Sequence, residues 1–278
     1  MTGRFPYKLV VTDLDGTLLD GECRISARNA EAFRRLADMG VHLAIASGRR
    51  LGQVTLEVAK CIGRPVYFVL CNGAKVVSPD GENILLYRPI APDDAHWFIT
   101  TVCRRPGTHW LARDKEVDLI WKREDGGPVI PGMSDDMLSL AGSAEGIISV
   151  AGFDILRIRV WASDEEILKA IYFAKSRNLS ADWFEYPGGG DSYIEVVGSG
   201  VSKASALEFL TRSLGISMAD VMAFGDGSND IAMLDAVGHG VAMANAPASV
   251  KSAACAVTVS NHEEGVAEYI EKMLGISR

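Results

Sequence analysis

The segment that most constrains the fold is an apolar run, residues 8–12, together with the two aspartates that follow it. The run is rich in Leu and Val and does not alternate with polar residues, which is the pattern of a strand buried on both faces of a parallel sheet. Asp13 and Asp15 come next, at the carboxyl end of the strand, where such sheets bind ligands. Two carboxylates this close repel each other unless a cation bridges them or one holds a proton. The segment therefore favours a metal site with acid/base chemistry, although Asp15-Gly16 is also good turn chemistry.

Three further segments place reactive groups beside predicted elements of regular structure. Residues 44–46 lead into Ser47, and residues 221–224 lead into the acidic run 225–230. Lys203 lies near the start of a helical stretch that ends at Gly215. Phosphoryl transfer needs a divalent metal, a lysine and hydroxyl or amide donors around several anionic oxygens. Each segment alone is more typical of a loop, a solvated charge or a surface turn, but their order along the chain and their place at strand ends indicate phosphoryl transfer.

Together these motifs resemble those of the haloacid dehalogenase superfamily of phosphohydrolases. The resemblance is to its Cof-type branch, in which a large (C2B-type) cap domain is inserted between the second and third motifs. It spans nearly the whole chain and includes all four motifs. These fall on Asp13, Asp15, Gly16 and Thr17, on Ser47, on Lys203, and on Asp226, Asn229 and Asp230. Gly227 and Ala244 depart from the usual pattern, and neither is an expected catalytic group.

The resemblance implies a role for each motif residue. Asp13 would attack phosphorus to form an aspartyl-phosphate, and Asp15 would protonate the leaving alcohol and later activate water. Magnesium would be bound by the Asp13 carboxylate, the Asp15 backbone carbonyl and Asp226, with Asp230 contributing directly or through water. The phosphate-binding residues would be Thr17, Ser47, Gly48, Lys203 and Asn229. These roles agree with the chemistry of paired acids, because a carboxylate beside a cation stays ionised while a neighbour aimed away from it can keep a proton.

The distribution of tryptophan predicts two domains in this chain of 278 residues. All five tryptophans lie between the Ser47 and Lys203 motifs, which marks an insert. We therefore predict an α/β core of residues 1–84 and 193–278 and an inserted α+β cap domain of residues 85–192. In the cap we expect helices at 93–102 and 164–176 on one face of a small sheet, and a strand at 156–161. The glycines at 188–190 are expected to form a hinge, and a strand at 193–197 to return the chain to the core.

The outer segments continue an alternation of strands and helices. Ser26 is a predicted helix N-cap, and that helix is expected to stop at Gly40. Further strands are predicted at 66–70, 241–243 and 257–259, and a last helix at 264–274. This order predicts a doubly wound parallel sheet of the Rossmann-like type, with the insert as its lid.

Charge and composition narrow the classes of partner. A formal net charge of −8 without a basic block argues against nucleic acid or anionic membrane as a partner. Arg49, Arg50 and Lys203 would then supply the local field that recruits an anionic substrate. The sequence shows no apolar stretch of membrane-spanning length and no secretory pattern, so we expect a cytoplasmic protein. The cysteines show no close metal spacing, and reduced thiols are expected.

Three functions are compatible with these motifs. The leading one is a magnesium-dependent phosphatase that acts on a small phosphorylated metabolite, with sugar phosphates among the candidates. A phosphotransferase or mutase would use similar motifs but pass the phosphoryl group to a second hydroxyl, and product analysis would separate the two. A non-catalytic phospho-acceptor module, like a response-regulator receiver, is disfavoured because such modules are much shorter. They also place their acid pair and their phospho-accepting Asp on different strands.

Overall fold

The computed structural model describes residues 5–102, 109–113, 118–121, 154–184 and 192–276. The chain divides into two compact units, one of Met1–Tyr87 and Ser202–Arg278 and the other of Arg88–Val201. The chain therefore passes between the units at 87/88 and 201/202, whereas the sequence analysis placed these points at 84/85 and 192/193. All five tryptophans belong to the second unit. The expected hinge at 188–190 lies outside the described residues.

The first unit is built on a mostly parallel sheet of eight strands in the order β13-β12-β11-β1-β2-β3-β4-β5. Strands are numbered along the whole chain. The strands of this sheet are β1 (Leu9–Thr12), β2 (His42–Ala46), β3 (Tyr67–Leu70), β4 (Lys75–Val77), β5 (Ile84–Tyr87), β11 (Val221–Gly225), β12 (His239–Ala242) and β13 (Ala256–Val257). The six strands from β13 to β3 pair in parallel, and β4 and β5 extend the sheet as antiparallel strands. The doubly wound α/β fold expected from the sequence is confirmed.

Most helices of this unit lie between parallel strands, and the last one follows β13. Numbered along the whole chain, they are α1 (Ala27–Asp38), α2 (Gln53–Ile62), α5 (Lys203–Leu214), α6 (Ile231–Ala236), α7 (Ala248–Ala253) and α8 (Gly265–Met273). Their ends follow local signals in the sequence. The Ser26 side chain accepts a hydrogen bond from the Asn29 backbone N–H and caps α1, and Gly215 ends α5 in the left-handed conformation that glycine adopts readily.

The core of this unit lies along the central strands. Leu9, Val10 and Val11 are all fully buried, so successive residues of β1 are covered on both faces of the sheet. This burial explains why the run lacks the alternation of a half-exposed strand. Leu207 and Leu210 of α5 pack in the same apolar cluster as Leu9 and Val11, which fixes the helix that carries Lys203 against the strand that carries Asp13.

The second unit contains a separate five-stranded sheet in the order β7-β6-β8-β10-β9. Its strands are β6 (His109–Arg113), β7 (Asp118–Trp121), β8 (Arg157–Ala162), β9 (Ser180–Phe184) and β10 (Ser192–Val197), and its described helices are α3 (Pro92–Thr101) and α4 (Asp164–Ser176). The two helices share one apolar cluster with Ile158, Val160, Ile194 and Val196. These four residues alternate along β8 and β10, so the helices cover one face of the sheet, as expected for an α+β unit.

Two expectations about the chain crossings need correction. The strand expected to return to the core, at 193–197, instead lies in the second sheet as β10, paired antiparallel with β8 and β9. Its apolar side chains Ile194 and Val196 pack in the same cluster as the helices of its own unit. The expected boundary at 84/85 falls within β5, which pairs with β4 as an edge strand of the first sheet.

No helix in the described ranges is both long enough and apolar enough to cross a bilayer.

Candidate active site

The candidate active site forms at the carboxyl ends of three adjacent parallel strands of the first unit. Asp13 follows β1, Ser47 follows β2, and Asp226 follows β11. Because β1 pairs in parallel with both β2 and β11, these three residues leave the sheet at the same edge. The strand order thus brings together motifs that are separated by up to about two hundred residues in the sequence.

The turn after β1 passes very close to Asp226. Gly16 has a φ of +79°, and a Cβ at this position would lie 2.2 Å from Asp226 Oδ2. Both the left-handed backbone and the lack of space require glycine here. The hydroxyl of Thr17 donates a hydrogen bond of 2.7 Å to Asp226 Oδ1. The structure therefore places Thr17, an expected phosphate-binding residue, where it orients this carboxylate.

Lys203 connects two of the motif acids from the first residue of α5. Its Nζ donates to Asp13 Oδ1 at 2.6 Å and to Asp230 Oδ1 at 2.7 Å, and its side chain is fully buried. Burial by itself lowers the pKa of this ammonium, but the charges of Asp13 and Asp230 outweigh that effect and raise the pKa. Lys203 thus stays protonated and holds the Asp13 carboxylate in one orientation.

Asp230 organises the loop that carries the acidic motif. Its Oδ2 accepts hydrogen bonds from the backbone N–H groups of Asp226 (3.1 Å) and Gly227 (2.9 Å), while Oδ1 accepts from Lys203. The two amides match the two lone pairs that a carboxylate oxygen offers. The residue is fully buried, so these three contacts fix the loop relative to Lys203.

Three carboxylates lie close enough together to hold a cation. One oxygen each from Asp13, Asp226 and Asp230 falls in a group whose members are all within 4.8 Å of one another. Burial raises the pKa of Asp13 well above its usual range, and the neighbouring carboxylates add to the effect although Lys203 opposes it. Burial and the charge of Asp230 raise the pKa of Asp226 to about 6. A hard divalent cation with oxygen ligands fits such a set of crowded carboxylates, since it would offset their repulsion.

Asp15 has a different environment from Asp13. Both of its oxygens are bound by Arg49, with Nε at 2.7 Å and the second guanidinium nitrogen at 2.6 Å, and about half of the Asp15 side chain is exposed. The same arginine lies 3.3 Å from the sulfur of Cys23. The fork geometry of this pair is the strong, bidentate form of an arginine–carboxylate contact. The sequence analysis assigned Arg49 only a general attraction for anions and missed this specific partner.

Two asparagines that the sequence analysis did not assign also take part in the site. Asn245 donates to the Gly16 carbonyl at 2.8 Å and to Asp226 Oδ2 at 3.3 Å. Asn72 accepts a hydrogen bond of 3.0 Å from Nδ2 of Asn229. Asn72 follows β3 and Asn245 comes shortly after β12, so both lie at the edge where the other motifs collect. A polar residue soon after a buried parallel strand was the available signal.

The serine motif is held by backbone contacts. Ser47 is buried, its N–H donates to the Val69 carbonyl, and its hydroxyl oxygen accepts from the Arg49 N–H at 3.1 Å. Gly48 lies in the turn between Ser47 and Arg49. The hydroxyl therefore stands at the end of β2, beside the strand that carries Asp13.

A doubly wound sheet with a buried lysine and clustered carboxylates at its carboxyl edge is the arrangement expected of an enzyme that acts on phosphate esters. A model of the haloacid dehalogenase-like hydrolase family matches residues 10–270. The chain belongs to this family and is a phosphoric monoester hydrolase, which confirms the resemblance found in the motifs.

Several characterised or solved proteins are similar over nearly their full length. A 5-amino-6-(5-phospho-D-ribitylamino)uracil phosphatase from Bacillus subtilis is 32% identical over 95% of this chain and 94% of its own. An HMP-PP phosphatase from Serratia proteamaculans is 28% identical over 96% of each chain. The solved structure of the subclass IIB sugar phosphatase BT4131 superimposes with a TM-score of 0.78 at 24% identity, covering 97% of this chain and 100% of that one. The last comparison shows the shared fold.

Proposed function

We propose that this protein is a magnesium-dependent phosphatase that hydrolyses a small phosphorylated metabolite through an aspartyl-phosphate on Asp13. The observation that carries the proposal is the placement of the Asp13 carboxylate, which the buried Lys203 binds and which groups with Asp226 and Asp230. A carboxylate that is fixed and charge-balanced in this way is suited to act as a nucleophile.

The choice of substrate class rests on the names of the relatives. One acts on a ribitylaminouracil phosphate, one on HMP-PP, and a structural neighbour is named a sugar phosphatase. All three names describe phosphatases, and each of them specifies a small phosphorylated compound or a sugar phosphate. A small phosphorylated metabolite is therefore the substrate class that we propose here. The unit Arg88–Val201 is proposed to be the cap whose residues select the leaving group.

The proposed metal ligands are the carboxylates of Asp13 and Asp226 and the backbone carbonyl of Asp15. Asp230 was expected to contribute to the magnesium site either directly or through water. Since it already accepts three hydrogen bonds, we favour a contribution through water. Magnesium at this position would neutralise charge on the phosphoryl oxygens.

The chemical steps are assigned to the two aspartates of the first motif. A carboxylate oxygen of Asp13 attacks phosphorus, the bond from phosphorus to the leaving oxygen breaks, and Asp15 gives that oxygen a proton. Asp15 then takes a proton from water as the water attacks the aspartyl-phosphate, which releases inorganic phosphate and restores Asp13. The third N–H of Lys203, the hydroxyl of Ser47, the Gly48 backbone and Asn229 are proposed to bind the phosphoryl oxygens, with Thr17 orienting Asp226 beside them.

The variant Asp15→Asn tests this division of roles, because it keeps the size of the side chain and the backbone carbonyl but removes the proton. An alkyl phosphate expels a basic alkoxide that needs protonation, whereas p-nitrophenyl phosphate expels a weakly basic anion that does not. In rapid-mixing experiments the variant should release a burst of p-nitrophenol, followed by slow turnover as phosphoenzyme accumulates. A sugar phosphate should give little or no burst.

The matched control is Asp13→Asn, which should give no burst with either substrate because the nucleophile is lost. Both variants should retain the circular dichroism spectrum of the wild type. If Asp15→Asn turns over both substrates normally, or loses both equally in the first step, Asp15 is not the acid/base group. Wild-type turnover by Asp13→Asn would remove Asp13 from the mechanism.

A further inference from the structure

The loop that follows β3 has an unusual backbone. Its three residues, Cys71, Asn72 and Gly73, have φ values of +51°, +54° and +97°, so all three lie in the left-handed region. This region is unfavourable for residues with a Cβ, and asparagine is among those that tolerate it best. Cys71 and Asn72 are also almost completely buried. Such a conformation persists only where the surrounding structure imposes it, and it is often associated with function.

Contacts to two motifs hold this loop in place. The backbone N–H of Asn72 donates to the Ser47 carbonyl at 3.2 Å, and the N–H of Cys71 donates to the Arg49 carbonyl at 3.0 Å. On the other side, Gly73 packs against the residue before Lys203, since a Cβ on Gly73 would lie 2.1 Å from the Ser202 carbonyl oxygen. The loop is thus fixed between the turn that carries Ser47 and the helix that carries Lys203.

The side chain of Asn72 reaches a third motif. Its Oδ1 accepts the hydrogen bond of 3.0 Å from Nδ2 of Asn229, and Asn229 lies in the turn Ser228–Asp230 that follows β11. The side-chain amide of asparagine is planar, so its two N–H groups and its oxygen are rigidly linked. A hydrogen bond to one N–H group therefore also sets the direction of the other N–H and of the oxygen. Asn72 therefore determines how the Asn229 amide is presented.

We propose that Asn72 is a positioning residue, which uses its left-handed backbone to hold the Asn229 amide in the orientation that contacts the phosphoryl group. The inference rests on the proposed function, in which Asn229 binds a phosphoryl oxygen. Asn72 acts through Asn229 and does not itself touch the substrate. The strain in the loop serves to place one acceptor oxygen at a point that an ordinary turn after β3 would not reach.

The test is a double-mutant cycle in the full-length protein, assayed with p-nitrophenyl phosphate at saturating magnesium. Asn72→Gly removes the acceptor and suits the left-handed backbone, so it should lower kcat/KM by up to about a hundredfold, the scale expected when a binding group is displaced by about 1 Å. In the Asn229→Ala background the same change should have no further effect, because the partner is already absent. Asn72→Asp, which keeps an acceptor oxygen, should recover part of the loss.

Asn72→Ala separates strain from positioning. It should lose as much kcat/KM as Asn72→Gly but unfold at a lower temperature, since alanine is disfavoured in the left-handed region. Losses that multiply in the double variant would overturn the proposal, because Asn72 would then act independently of Asn229. Unchanged kcat/KM in Asn72→Gly, or in Asn229→Ala, would overturn it as well. Asp13→Asn tests the proposed function separately. If Asp13→Asn loses turnover while Asn72→Gly has normal kinetics, only the positioning role of Asn72 is rejected and the proposed function stands.

Discussion

Replacing Asp226 by asparagine should stabilise the metal-free protein, although it removes a proposed metal ligand. The pKa of this carboxyl is raised from 3.8 to about 6, first by burial and then by the charge of Asp230. Since one pKa unit corresponds to about 1.4 kcal/mol, the ionised carboxylate costs the fold on the order of 3 kcal/mol above pH 6. Between about pH 4 and pH 6 the folded state binds more protons than the unfolded state, so stability falls as the pH rises through this window and stays low above it.

The net gain is smaller than the cost of the charge. The Asp226 carboxylate accepts hydrogen bonds from Thr17 at 2.7 Å and Asn245 at 3.3 Å, and a neutral amide would weaken these by roughly 1 kcal/mol in total. We therefore expect Asp226→Asn to raise the free energy of unfolding by about 1–2 kcal/mol at pH 7.5 in chelator. For a unit of this size that is a rise of about 3–6 °C in melting temperature. At pH 5 the wild-type carboxyl is mostly protonated, so the difference should shrink.

Thermal unfolding at pH 5.0 and 7.5, with chelator and with increasing magnesium, measures both effects. Magnesium should raise the melting temperature of the wild type at pH 7.5 and do so much less for Asp226→Asn, because a ligand that binds only the folded state stabilises it by mass action. Asp220→Asn is the matched control, since Asp220 pairs with Lys8 near the surface. The reasoning fails if Asp226→Asn is no more stable than wild type in chelator at pH 7.5, or if both gain equally from magnesium.

Two further substitutions address the other contacts of the site. Lys203→Met leaves two buried carboxylates without their cation, so it should lower the free energy of unfolding by about 3–5 kcal/mol at pH 7.5. Chemical denaturation should show a smaller loss at pH 5. Turnover should fall by at least about a hundredfold. Gly16→Ala should abolish turnover and lower the melting temperature, because the new methyl group overlaps Asp226, whereas Gly21→Ala, whose Cβ would meet only His262 at 3.6 Å, should be neutral in both assays. Wild-type stability of Lys203→Met, or full activity of Gly16→Ala, would contradict these contacts.

The sequence predicts those parts of the fold that depend on local signals. The buried run before Asp13 specifies a parallel strand, and Ser26 specifies a helix start, because an uninterrupted apolar stretch and an N-cap act within a few residues. The allocation of 193–197 to the core failed for a different reason. A strand with an apolar face shows that it pairs, but its partner depends on which helices cover that face, and here these are α3 and α4 of its own unit.

The same limit applies to the site. The motif acids and Lys203 can be recognised because each lies at the end of a predicted element. The contacts of Arg49 and Asn72 cannot, since they depend on side chains that meet only after β1, β2, β3 and β11 have aligned. Asn72 lies just after a predicted strand, but its left-handed backbone has no local sequence signal. The neighbouring Gly73 packs against Ser202, a contact that only the folded chain makes.

The different surroundings of Asp13 and Asp15 give a physical reason for their different proposed roles. Asp13 is bound to a lysine that is 0% exposed, whereas Asp15 is 51% exposed and its partner Arg49 is 32% exposed. Breaking a buried ion pair costs about 3–5 kcal/mol, while separating a half-exposed pair costs about 1 kcal/mol or less. A nucleophile must stay aimed at phosphorus, and an acid/base group must exchange protons and change partners during each turnover. Separating Asp15 from Arg49 takes little free energy, which suits Asp15 to proton transfer. Separating Asp13 from Lys203 takes much more, which keeps Asp13 in the orientation needed for attack.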